Sequence, residues 1–260
     1  MTQIQEITSL FSESGLTALH SFVDHGTLFA FDLDGTLTPI TANPHGILLS
    51  ETIKEELCRL INHAPVAIIT GRSRSDARAH LGVTPQFLIG NHGAEGLPGW
   101  EEQEKKFIHI CVDWEQQLSR TLFPEDGSGI SIENKGTSLS IHYREARYRR
   151  RARTMILRGI DLLVPRPRRV RGKCVENLLP EAAPDKGMAL LHLMDLIKCT
   201  KGFYVGDDVT DEDVFRLDRN RIFTVRVGTT QASRAQYKLR SQGETVRLLR
   251  EINSTLKPSE

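Results

Sequence analysis

Short continuous apolar runs alternate along the chain with stretches whose apolar residues recur every three or four positions. The first run, Leu28-Phe29-Ala30-Phe31, leads into Asp32 and predicts a buried strand over 28–32. Ser50 then stands as an N-cap before "ETIKEELCRLINH", in which Ile53, Leu57, Leu60 and Ile61 share one helical face. "VAIIT" (66–70) predicts a second strand, 73–81 a helix, and "FLIGN" (87–91) a third strand. Strands alternating with helices predict a parallel sheet covered by helices, an α/β fold.

Near residue 104 the rhythm changes. A helical stretch (107–118) is followed by two alternating runs (130–133 and 138–143), a basic helix (145–163) and two more strand-like runs (168–171 and 175–179). That order predicts a small α+β unit with an antiparallel sheet. After Pro180 the first rhythm returns, with a helix over 185–198, a strand over 202–206, a helix over 211–217 and a strand over 222–227. The expectation is an α/β core, 1–103 with 182–260, interrupted by an α+β insertion over 104–181.

Composition narrows the function classes. A chain of 260 residues, 39% apolar and 26% charged, can bury a sizeable core. Its net charge of +1 supplies no overall drive toward nucleic acid or membrane. Cys58, Cys111, Cys174 and Cys199 lie far apart without a CxxC pair, which argues for free thiols in a reducing compartment. The opening "MTQIQEITSLFSESG" has neither a basic nor a continuous apolar segment, so no signal peptide is read and a cytoplasmic location is expected. The five arginines between 144 and 151 spread around a helix and read as a solvated face rather than a nucleic-acid platform. They would help to steer an anionic substrate.

Polar residues cluster at the ends of the predicted elements. The first strand ends in Asp32 and Asp34, the second in Thr70-Gly71-Arg72, and the strand at 202–206 in Asp207-Asp208. A helix opens with Asp185-Lys186-Gly187. Ligands of open α/β sheets bind beyond the carboxyl ends of the strands, so these pieces converge. Two carboxylates at the end of a buried strand are costly without a compensating cation. Asp32, Asp207 and the backbone carbonyl of Asp34 form an all-oxygen set suited to Mg²⁺. The free oxygen of Asp32 is then placed to attack phosphorus, and Asp34 to protonate the leaving oxygen and later to activate water. Thr70 offers a hydroxyl and an N–H to a phosphoryl oxygen, and Lys186 a positive charge. A cation in the first turn of a helix opposes the dipole, which points to a specific anionic partner for Lys186. Glu212 and Asp213 read as first-turn acids that suit the dipole.

"FDLDGTL", "IITGR", "DKG" and "GDDVTDED" together resemble the four motifs of the haloacid dehalogenase superfamily of phosphohydrolases. More narrowly, "DGTLTPI", "TGRS", "GNHGAE", "ENKGTSLSIHYR", "GKCV" and "VGDDVTDED" resemble the trehalose-6-phosphate phosphatase family, over residues 28–227. The resemblance implies a Rossmann-like core with an inserted cap that selects the sugar. It implies Mg²⁺-dependent hydrolysis of trehalose 6-phosphate in trehalose biosynthesis, by a monomer working with a trehalose-6-phosphate synthase. It makes Asp32 the nucleophile and Asp34 the acid/base, and Asp207 completes the metal site. Asp208 and Asp211 would orient Lys186 or metal-bound water, and either could touch the metal. Gly71, Arg72, Asn91, His92 and Glu95 would lie near the phosphate or first sugar, and Glu133, Lys135, His142 and Lys173 would face sugar hydroxyls.

One segment departs from the family. After "GKCV" it usually runs Val-Glu-x-Lys/Arg-Pro, whereas here Asn177 stands at the Glu position and Leu179 at the cation position. Either Glu176 or Asn177 takes the sugar-binding role, and a one-residue shift in a strand turns a side chain to the other face. The alternatives are a phosphatase of another glycosyl phosphate (glucosylglycerol, mannosylglycerate or sucrose phosphate), a sugar phosphomutase and a non-catalytic sugar-phosphate-binding module.

Overall fold

The computed structural model describes residues 7–40, 48–122, 128–229 and 233–257. The chain forms two compact units, Met1–Gly93 with Asp185–Glu260, and Ala94–Pro184. The first unit begins with β1 (Thr8–Ser9), α1 (Glu13–Phe22), β2 (Thr27–Phe31), α2 (Glu51–His63), β3 (Val66–Ile69), α3 (Arg74–Leu81) and β4 (Phe87–Ile89). The second contains α4 (Glu101–Thr121), β5 (Ser131–Asn134), β6 (Leu139–His142), α5 (Arg149–Ile160), β7 (Pro167–Gly172) and β8 (Val175–Pro180). The chain then returns with α6 (Lys186–Leu196), β9 (Lys201–Gly206), α7 (Glu212–Phe215), β10 (Ile222–Val227), β11 (Tyr237–Leu239) and α8 (Thr245–Thr255).

Among the described residues of the first unit, seven strands form one parallel sheet in the order β1-β11-β10-β9-β2-β3-β4. Every residue of β2 and β3 is buried, which explains why these strands read as unbroken apolar runs. Ser50 Oγ accepts from the Ile53 N–H and Ser73 Oγ from the Asp76 N–H, so both predicted caps start their helices. Strands β9, β2 and β3 lie side by side, which brings Asp32, Thr70 and Asp207 to one edge as the next residues after their strands. The two-residue β1 and the three-residue β11 were too short to show a period in the sequence.

In the second unit four strands pair antiparallel in the order β5-β6-β8-β7. Trp114 and Leu118 of α4 and Ile156 and Ile160 of α5 pack with Leu139, Ile141 and Leu178 over one face. The unit starts at Ala94 and ends at Pro184, wider than the expected 104–181. Ala94 and Ala183 pack with Phe107 and Leu179, so both linkers join this unit's own apolar clusters. Helix α4 starts six residues before the expected 107 because Glu101, Glu102 and Glu104 carry no apolar period but favour a first helical turn. Arg149, Arg150 and Arg151 are exposed, as expected of a solvated face. Among the described residues, no helix is long and apolar enough to cross a membrane.

Phe203 of β9 stacks on Phe223 at 5.5 Å and packs against Phe29 at 5.6 Å. We expect Phe203→Ala to lower unfolding free energy by about 3–5 kcal/mol in urea titrations. A loss below about 1 kcal/mol would mean that the sheet does not depend on this aromatic column.

Candidate active site

Asp32 follows the last residue of β2, and its N–H bonds the Val205 carbonyl of the neighbouring β9 at 2.9 Å. Lys186 opens α6 behind the N-cap Asp185. Its Nζ donates to Asp32 Oδ1 at 2.7 Å and to Asp211 Oδ1 at 2.8 Å, and all three side chains are buried. Asp211 is held further by the Tyr204 hydroxyl at 2.7 Å and by the Asp208 N–H at 2.8 Å. With these donors in place, Asp211 acts as the seat of Lys186.

Oxygens of Asp32, Asp207 and Asp211 lie within 4.8 Å of one another. Burial, then the Asp211 and Asp208 charges, pushes the Asp207 carboxyl up to about 7. Burial also drives Asp32 well above the carboxylate range, and Lys186 opposes it. Burial works against the Lys186 ammonium, but Asp211 and Asp32 together hold it protonated above its ordinary value. One ammonium among three carboxylates leaves a surplus of negative charge, and Asp207 Oδ1 is buried without a hydrogen-bond partner among the described residues. The donor set therefore fits a divalent cation. Gly35, at φ +85°, brings the turn so close that a Cβ there would strike the Asp207 carboxylate.

Several expectations need correction. The Thr70 N–H is taken by the Ile89 carbonyl at 3.0 Å, so the hydroxyl is the group left to reach a ligand. That hydroxyl accepts from the Arg72 N–H at 3.2 Å. Arg72, expected near the phosphate, turns its guanidinium to Asp34 and Asp76 instead. Asp208 and Asp34 contribute no carboxylate to the acidic cluster: the exposed Asp208 accepts from the Asp211 N–H in a capping box, and Asp34 pairs with Arg72. Glu212 and Asp213 stand in the first turn of α7 as expected, and Glu212 is in addition buried against Arg226, whose Nη1 reaches it at 3.2 Å.

The Asn91 N–H bonds the Arg72 carbonyl at 2.7 Å and the His92 N–H the Thr70 carbonyl at 2.9 Å. Both residues have positive φ, and the His92 ring lies against Gly71, where a Cβ would collide with it. Glu95 is half-buried in the second unit. There, Glu133 Oε2 meets His142 Nε2 at 2.9 Å and Lys135 Nζ at 3.7 Å. Glu133 pairs across the sheet with Ser140, and Ser140 with Asn177, so the three share a face. Ser140 Oγ donates to Asn177 Oδ1 at 2.7 Å. Glu176 points to the opposite face, 2% exposed, where Arg153 Nε holds it at 2.7 Å. It does not join the other candidate sugar ligands. Lys173 is exposed in the turn between β7 and β8.

The sequence reading missed Tyr204, Asp76 and Arg226. Tyr204 had a signal, a polar-tipped aromatic inside the buried run before Gly206. Arg226 Nη2 donates to the Asp207 carbonyl at 2.5 Å and Nη1 to the Asp208 carbonyl at 3.3 Å, contacts between separate strands that no local pattern records.

The sequence model described as trehalose-phosphatase matches residues 30–243. The chain belongs to this family. It is 28% identical over 245 residues to "Trehalose 6-phosphate phosphatase RA3" of Zea mays, covering 85% of this chain and 68% of the relative. It is also 28% identical over 193 residues to "Trehalose-phosphate phosphatase" of Mycobacterium tuberculosis (strain ATCC 25618 / H37Rv), covering 71% of this chain and spanning 49% of that protein's length. The fold is that of the C. albicans trehalose-6-phosphate phosphatase C-terminal domain, with a TM-score of 0.69 and 20% identity over 96% of this chain and 99% of that one. The parallel sheet with a separate antiparallel unit matches the haloacid dehalogenase fold with its cap.

A proton on Asp207 competes with a cation. We expect the affinity of the metal-free protein for a divalent cation to weaken about tenfold per pH unit below about 7 and to level off above it. Calorimetric titrations on either side of neutrality read this directly, and a pH-independent affinity removes Asp207 from the ligand set.

Proposed function

We propose that the protein is a Mg²⁺-dependent phosphatase that hydrolyses trehalose 6-phosphate to trehalose and inorganic phosphate in trehalose biosynthesis. The observation that carries the reading is Asp32, held at one oxygen by buried Lys186 at 2.7 Å and clustered with Asp207. Asp32, Asp207 and the Asp34 carbonyl would hold the ion, which would supply charge neutralisation and polarisation of phosphoryl oxygens.

Asp32 attacks phosphorus through the oxygen that Lys186 leaves free. The bond from phosphorus to the sugar oxygen breaks, and Asp34 gives that oxygen a proton, leaving an aspartyl phosphate on Asp32. Asp34, now a carboxylate, takes a proton from water as the water oxygen bonds phosphorus. The Asp32–phosphoryl bond breaks, inorganic phosphate leaves, and Asp34 is protonated again. Lys186 opposes the burial that disfavours the ionised Asp32 nucleophile, and the Thr70 hydroxyl steadies the phosphoryl group. Asn91 and His92, bonded through their N–H groups to the Arg72 and Thr70 carbonyls, line the phosphate side.

The 94–184 unit supplies sugar recognition through Glu133, Lys135, His142 and Asn177, with Lys173 at the turn. The protein acts as a cytoplasmic monomer on the product of a trehalose-6-phosphate synthase, and its four free cysteines suit a reducing compartment. A second reading, a phosphatase of another glycosyl phosphate, is favoured by the neutral Asn177 on the sheet face where Glu133 and Ser140 lie.

Phosphate release from trehalose 6-phosphate, glucose 6-phosphate, sucrose 6-phosphate and glucosylglycerol phosphate, with Mg²⁺ and with EDTA, separates these readings. A large metal-dependent preference for trehalose 6-phosphate is expected. Equal or faster turnover of another glycosyl phosphate keeps the mechanism and moves the substrate. Conversion to an isomer without phosphate release identifies a mutase. Asp32→Asn is expected to reduce turnover more than about a thousandfold while substrate binding persists, and wild-type rates in that variant refute Asp32 as nucleophile.

A further inference from the structure

Arg72 stands between two carboxylates. Its Nε donates to Asp34 Oδ2 and its Nη2 to Asp34 Oδ1, both at 2.6 Å, and its Nη1 donates to Asp76 Oδ2 at 2.8 Å. The Arg72 side chain is 10% exposed, against 36% for each carboxylate. Two parallel bonds from a planar guanidinium fix both the position and the plane of a carboxylate, which an ammonium cannot do. Asp76 sits in the first turn of α3, where its N–H bonds the N-cap Ser73. It sits on a helix, apart from the turn after β2 that carries Asp34.

We propose that Arg72, anchored by Asp76, is a positioning residue that aims Asp34 for proton transfer. The proposal rests on the acid/base role inferred above for Asp34. Asp34 lies in the turn after β2 and its side chain is 36% exposed, so a fixed partner is needed to hold it in one orientation. The second ion pair, to Asp76, fixes the guanidinium independently of Asp34. Arg72 then holds the Asp34 carboxyl in one position and plane. Its Nε, Nη1 and Nη2 all donate to carboxylates in this arrangement, which separates the role from that of a phosphate ligand.

The test compares Arg72→Gln, Arg72→Lys, Asp76→Asn and Asp34→Asn. Turnover of trehalose 6-phosphate is measured in each, and its binding is measured by calorimetry after adding Asp32→Asn to each. Arg72→Gln is expected to lower kcat about 100-fold, within the usual range for acid–base catalysis. Arg72→Lys keeps the charge but loses the fork, so a loss of about tenfold is expected. Asp76→Asn should lose less than Arg72→Gln. Binding in the Asp32→Asn background should change by less than about threefold in every case, because no ligand contact is removed. If Arg72→Gln fails to fold, Arg72→Lys and Asp76→Asn carry the same comparison. Binding that weakens as much as turnover makes Arg72 a substrate ligand and overturns the proposal. Loss of turnover in Asp34→Asn, with turnover kept in both Arg72 variants, overturns it while leaving the acid/base reading intact. Wild-type turnover in Asp34→Asn removes the acid/base reading and the proposal with it.

Discussion

Lys186 lies between Asp32 and Asp211 with all three side chains withdrawn from water, and the site depends on that arrangement. Burying a charge without a partner is prohibitive, whereas a buried ammonium with two close carboxylates is tolerable. The cost of breaking such a group by deleting one member is about 3–5 kcal/mol. The same geometry divides labour among the acids. Asp211 spends its oxygens on Lys186, Tyr204 and the Asp208 N–H, so Asp32 and Asp207 are left for a cation and for chemistry.

The loop after β9 is held from outside as well as from within. Arg226 on β10 grips the carbonyls of Asp207 and Asp208, and Glu212 holds Arg226 in turn. Glu212 also accepts from the Arg234 N–H at 2.9 Å, tying this loop to the segment before β11. A carboxylate cluster with surplus charge repels itself, and a rigid frame keeps its members close. Gly35 and Gly206 complete the frame from the backbone side, because a Cβ at either would strike Asp207 or Asp211.

In the second unit the pleat decides which residues reach a ligand. Glu176 and Asn177 are neighbours in β8 but face opposite sides. Glu176 is committed to Arg153 under α5, while Asn177 joins Ser140 on the face away from that helix. A departure in the sequence of one residue type thus becomes a statement about one face of the sheet. The neutral amide offers both a donor and an acceptor, whereas a carboxylate there would act only as an acceptor.

Elements, their order and the ends that carry chemistry were legible in the sequence. Apolar runs and helical periods record burial locally, and the Ser50 and Ser73 caps, the strand at 28–32 and the polar element ends at Asp32, Thr70, Lys186 and Asp207 follow from patterns a few residues wide. Partnerships were not legible, because they join residues far apart in the chain. Lys186 meets Asp32 across 154 positions and Arg72 meets Asp34 across 38. Register across the sheets put Glu176 on the helix-covered face and Asn177 on the other, and the short β1 and β11 formed only because neighbouring strands were present to pair with them. Local pattern determines what a segment buries, and only the packed tertiary structure decides which charge it meets there.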